Sequence, residues 1–141
     1  MSGADNGQFP GEPYFANCSS LQSVKLPNSL RVIGNHAFEA TAIKTIEIPS
    51  SMITIPQSVF EDCYYLETVT IPNSVRGIEV CAFKDCSGIR SIIYKGTKEE
   101  WARISISSYG NDALESATIK TLSSSTKVTL AKTTLRSLTN N

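Results

Sequence analysis

Apolar residues fall at three spaced positions ahead of a proline, and the arrangement recurs along the chain. Leu21, Val24 and Leu26 precede Pro27; Ile43, Ile46 and Ile48 precede Pro49; Leu66, Val69 and Ile71 precede Pro72. Ile89, Ile92 and Tyr94 form a further set. Within 23–26, 45–48 and 68–71 polar and apolar residues alternate, which is the strand period. Proline ends each strand because it has no amide hydrogen for a ladder. Behind each proline come a serine (Ser29, Ser51, Ser74), an apolar residue (Leu30, Met52, Val75) and an isoleucine (Ile33, Ile55, Ile78). This spacing predicts a second short extended stretch on another side of the repeat. Phe15, Phe38, Phe60 and Phe83 then follow one another at spacings of 23, 22 and 23. The corners Ala37-Phe38 and Ala82-Phe83 predict a tight helical turn with the ring pointing inward. The second repeat is one residue short, between Thr41 and Ile43.

One such strand cannot bury its apolar face alone. Stacking the repeats places like on like, so the strands form a parallel sheet and the apolar positions form a continuous core. The 141 residues suit a single domain of this kind.

The run Leu-x-x-Val-x-Ile-Pro-x-Ser-Val-x-x-Ile-x-x-x-Ala-Phe-x-x-Cys, spelled nearly in full by residues 66–86, resembles the BspA-like, or Treponema-type, leucine-rich repeat. The resemblance implies an α/β leucine-rich-repeat solenoid: right-handed, strand-rich, a parallel sheet of about four coils with a helical C-terminal cap. It implies an N-terminal extension over 1–13, a repeat domain over 14–119 with its cap at 94–119, and a tail over 120–141. It further implies a bacterial cell-surface or secreted protein that adheres to protein or glycan, with no catalytic residues to carry over. This chain departs from the pattern at Thr41, where cysteine is usual, and at Ile55-Pro56, where Ile-Gly is usual, and its array is short for the family.

Charge adds little. The 13 basic and 13 acidic side chains cancel, which gives no electrostatic footprint for nucleic acid. No apolar run is long enough to cross a bilayer, so membrane insertion is not expected. Residues 1–8 have neither the basic region nor the apolar core of a signal peptide.

The two ends of the array differ. Thr97 and Glu100 form a capping box, and Trp101 and Ile104 lie where they can cover the last coil. Residues 1–13 offer only Phe9 as a large apolar residue and little to cover the strand at 23–26. An open parallel edge invites pairing with another chain, so self-association there is expected unless another segment precedes it. In the tail, 128–130 reads as strand and Val128, Ala131, Leu135 and Leu138 sit at rough helical spacing.

Candidate chemistry is sparse. Cys18, Cys63 and Cys86 share one repeat position and Cys81 lies two residues before Phe83. They read as small buried hydrophobes, with a disulfide open to a secreted protein. Their spacings fit no zinc-site pattern, and with His36 the single histidine no metal site is expected. His36 takes the repeat position held elsewhere by Ser58 and Cys81. Glu61, Asp62 and Asp85 read as a solvated turn. Asn17-Cys18-Ser19 has the letters of a glycosylation acceptor, which a bacterial source would leave without meaning. No cofactor motif is present. The outward strand face is the remaining candidate: Ser23, Lys25, Thr45, Glu47, Thr68, Thr70, Ser91 and Ile93, a hydroxyl-rich surface for a protein or glycan. The alternative is a structural spacer, or a self-assembling piece with no small ligand.

Overall fold

A computed structural model of the chain describes residues 15–122. Two parallel sheets form from alternate strands. The strands β1 (Thr45–Glu47), β3 (Thr68–Ile71), β5 (Ser91–Thr97) and β7 (Thr118–Leu122) make one sheet, in that order. The short strands β2 (Thr54–Ile55), β4 (Gly77–Ile78) and β6 (Ser105–Ile106) make the other; the spacing predicts β2 and β4, the stretch at Ile33 forms no strand, and β6 comes from the cap. Register keeps like on like: Ile46 pairs with Val69, Val69 with Ile92, and Ile92 with Ile119. Ile55 pairs with Ile78, and Ile78 with Ile106.

The core lies between the two sheets and is closed at the corner by phenylalanine. Phe15, Phe38, Phe60 and Phe83 stack face to face with ring centroids 5.4, 6.0 and 5.5 Å apart. Phe38, Phe60 and Phe83 are fully buried, and each is worth roughly 1.5–3 kcal/mol of apolar transfer. The repeats pack so closely that a Cβ on Gly88 would lie 2.6 Å from the Tyr64 carbonyl oxygen.

The corner is not the helical turn that the sequence predicts. It is a chain of β-turns flanked on both sides by left-handed residues. His36, Ser58 and Cys81 precede the phenylalanine with φ of 64°, 55° and 60°. Asn17, Ala40, Asp62 and Asp85 follow it with φ of 65°, 58°, 62° and 60°. Such backbone costs energy in a residue other than glycine. Here it has a clear return, because it aims the amide along the stacking axis. His36 donates to the Gln57 carbonyl, Ala40 to Glu61, Ser58 to Val80 and Asp62 to Lys84, at 2.8–3.2 Å. The inter-repeat bonds take the amides that a helix would need.

Cysteine suits the next position for a related reason. The Cys63 thiol donates to the Phe38 carbonyl at 3.1 Å, and the Cys86 thiol to the Phe60 carbonyl at 2.9 Å. All four cysteines are free thiols; Cys18 is exposed and the others are buried. Burial, the largest cause, pushes the Cys63 and Cys86 thiols above their ordinary pKa and keeps them protonated.

The strand expected at 23–26 does not form. Gln22 and Leu21 accept from Lys44 and Ala42, but among the described residues no backbone hydrogen bond joins 23–33 to the following repeat. Among the described residues this repeat has a neighbour on one side only. Leu26, Leu30 and Ile33 are buried, while Leu21 and Val24 remain half-exposed. Ser23 and Lys25 therefore do not belong to the sheet, and β1 is its edge.

The C-terminal end is closed as expected, with one addition. Helix α1 (Lys98–Ala102) opens on the capping box: Glu100 N donates to the Thr97 hydroxyl at 3.1 Å, and Thr97 N to the Glu100 carboxylate at 2.8 Å. Trp101 packs edge-on against Tyr94, 5.2 Å between centroids, and Ile104 is buried. A second helix, α2 (Asp112–Ser116), buries Leu114. The addition is Asn111, itself buried. Its Oδ1 accepts the Phe83 amide at 3.1 Å, where another repeat would have offered a carbonyl. Its Nδ2 donates to the Glu79 and Ser107 carbonyls at 3.0 and 2.9 Å. Strand β7 then crosses the boundary drawn at residue 119 and pairs with β5. The extension over 1–13 and the tail readings at 128–138 lie outside the described residues.

Candidate functional site

The outward face of the larger sheet is one continuous surface. Its first row runs Thr45, Thr68, Ser91, Thr118, and its second Glu47, Thr70, Ile93, Lys120, each neighbour paired in register. Adjacent strands lie about 4.8 Å apart, so the face spans roughly 14 Å from β1 to β7. Thr45, Glu47, Thr118 and Lys120 are exposed; Thr68, Thr70, Ser91 and Ile93 are half-buried. The Thr68 and Ser91 hydroxyls are 3.5 Å apart, within hydrogen-bonding range. Opposite charges, Glu47 and Lys120, bracket a neutral centre of hydroxyls and methyls. Such a centre carries little desolvation cost and offers donors and acceptors in a fixed two-row array.

Six of the eight residues expected on this face are brought together. Ser23 and Lys25 are exposed but sit on the unladdered first repeat. A groove of about 380 Å³ runs between 24–28 and 45–47, and one of about 600 Å³ on the other flank is lined by Arg31, Val32, Ile53, Pro56 and Gln57 among others. The sequence reading missed Thr118 and Lys120. The alternation Thr-Ile-Lys-Thr-Leu at 118–122 carried the signal, but it falls 27 residues after Ile92 rather than 22 or 23. It also missed Tyr64 and Tyr65, exposed at 54% and 62% in the turn that leads into β3. They are large exposed aromatic side chains, a kind the two sheet rows lack.

The phenylalanine corner carries a second group. His36 Nδ1 lies 2.6 Å from a Glu39 carboxylate oxygen. Glu61 joins them from the next repeat, with one ligand atom from each residue within 4.8 Å of the others. The sequence reading had treated His36 alone, as a repeat substitution. The aligned carboxylates it weighed, Glu61-Asp62 and Asp85, lie in the turn after phenylalanine, with Asp85 exposed and Glu61 and Asp62 half-buried.

A comparison with curated proteins found no match. Among solved structures, a leucine-rich cell surface protein from Faecalibacterium prausnitzii A2-165 is similar, at 31% sequence identity and a TM-score of 0.49. The match covers 64% of this chain and spans 30% of the length of that one. The family model described as BspA type Leucine rich repeat region (6 copies) matches residues 10–109, most of the chain. With its two parallel sheets, its few short helices and this match, the chain belongs to the BspA-type leucine-rich-repeat family.

Proposed function

We propose that this chain is a non-enzymatic binding module of a bacterial cell-surface or secreted protein, contacting protein or glycan through the outward face of its larger sheet. The observation that carries the reading is the unbroken pair of rows from β1 to β7, with no chain among the described residues laid across them. A stacked sheet presents such rows as one surface, and extended faces of this kind are what repeat proteins use for recognition. The surface location rests on the family. We read the whole as a right-handed solenoid of about four coils, with its repeat domain over 14–119 and the tail beyond.

The test is Thr70→Arg, at the centre of the face. A large cation there leaves the core side of β3 untouched. Capture of the chain on a glycan array or on immobilised matrix protein should be lost, while circular dichroism stays unchanged. Capture equal to that of the unaltered chain would refute the face as the site.

A second reading has its own observation. The edge of β1, not laddered to the first repeat beside it, favours a spacer that associates with another copy. Light scattering across a hundredfold concentration range separates the two: a mass that falls on dilution supports association, and a constant monomer refutes it.

A further inference from the structure

We infer that the phenylalanine corner holds a binding site for a divalent transition-metal ion, ligated by His36, Glu39 and Glu61. The argument begins with the backbone. Glu39 and Glu61 each follow a corner phenylalanine, so they occupy the same position on adjacent repeats. Phe38 donates to the Val59 carbonyl at 3.0 Å and Ala40 to the Glu61 carbonyl at 2.8 Å, which fixes the two carboxylate-bearing residues one above the other. Like charges stacked at strand spacing repel. The next residue in the column is Lys84, which relieves this below but not between the two.

His36 stands two residues before Phe38, and its Nδ1 meets Glu39 at 2.6 Å. One nitrogen and two carboxylate oxygens thus converge from two repeats, all three side chains half-buried and none drawn into the core. In a tetrahedral zinc site with bonds near 2.1 Å, ligand atoms stand about 3.4 Å apart. To reach that value the His36–Glu39 pair at 2.6 Å opens, exchanging its hydrogen bond for the ion, and Glu61, whose oxygen lies within 4.8 Å, swings to meet it. The imidazole sets the class of ion. Two carboxylates alone would suit calcium or magnesium; with histidine the set favours zinc and its neighbours. Three protein ligands leave the remaining coordination positions to water or to a partner's side chain.

Zinc chloride is the probe, added to the full chain in a Cys18→Ser background so that the exposed thiol cannot take the ion. Calorimetry should show one saturable equivalent below millimolar concentration, unaffected by an equal concentration of magnesium. His36→Ser and Glu61→Gln should each weaken it by about tenfold or more. Serine is already accommodated at the equivalent left-handed position, Ser58. Glu61→Gln keeps the side chain's size and leaves the buried core alone, so it carries the test even if the histidine variant fails to fold. Zinc should also raise the melting temperature of the unaltered chain and not that of Glu61→Gln, because the ion ties two repeats together. No saturable binding below millimolar, or binding in both variants as strong as in the unaltered chain, overturns the site.

Discussion

Replacing Asn111 with alanine tests how the array is closed. The residue is 3% exposed and makes three side-chain hydrogen bonds to backbone. Alanine removes all three and leaves the Phe83 amide, at the base of a fully buried phenylalanine, without its acceptor. An orphaned buried donor costs about 1–3 kcal/mol, and each of the other two bonds about 0.5–1.5 kcal/mol before water replaces part of it. The sum is roughly 2–6 kcal/mol, of which about 3 kcal/mol is left once water has taken up part of the loss. For a domain of this size that is a fall of about 10 °C in melting temperature. The assay is urea unfolding with thermal melting, both followed by circular dichroism. Asn73→Ala, on an exposed turn, is the control and should lie within about 0.5 kcal/mol of the unaltered chain. A second readout is local: Cys86 is three residues from Phe83, and its alkylation in the folded protein should accelerate. If Asn111→Ala matches the control in stability and leaves Cys86 protected, the idea that one side chain stands in for a missing repeat is refuted.

Two further outcomes follow from the fold. The Cys63 and Cys86 thiols have pKa values raised by burial above the ordinary 9.0, so folding holds their protons more tightly than the unfolded chain does. Their contribution to stability is fully present below pH 9.0 and is lost as pH rises through their folded values; the urea midpoint should fall above that pH, less steeply in Cys86→Ala, and an equal fall in both would refute the assignment. Hydrogen exchange read by mass spectrometry should find the amides of 23–33 exchanging far faster than those of β1 and β3, because no backbone ladder protects them; equal protection would mean that the first repeat is laddered after all.

The core was legible in the sequence because a repeat writes each core position several times. Ile46, Val69 and Ile92 announce one another, as do Phe38, Phe60 and Phe83. The capping box at Thr97 and Glu100 was legible for a different reason, being a local motif whose physics is complete within four residues. What stayed hidden depends on position in the array rather than on pattern. Residues 23–26 read as well as any other strand, yet among the described residues their repeat has a neighbour on one side only. The bonds that Asn111 makes had no repeat partner to point to them. The left-handed pairs at His36, Ser58 and Cys81 are not glycines, so nothing in their letters marks the backbone they adopt. On the outward face, Thr68, Thr70, Ser91 and Ile93 were placed by alternation, while Thr118 and Lys120 were displaced from the period by the two cap helices. His36, Glu39 and Glu61 are brought together by stacking across repeats, which no local motif records.

The direction of the corner bonds has a consequence for how such a protein can grow. Each repeat hands its amides forward and receives its neighbour's amides on its carbonyls, so the two ends of the stack are chemically opposite. The forward end is stopped by Asn111 and by the Tyr109 carbonyl, which accepts from Cys81 at 2.9 Å. At the backward end Ala16 holds the place where Glu39 and Glu61 accept from the preceding repeat. Duplicated units of 22 or 23 residues can therefore be spliced in ahead of the Phe15 repeat without disturbing the stop, each lengthening the rod by about 4.8 Å. Selection for reach would then act on copy number alone and leave the terminating piece unchanged.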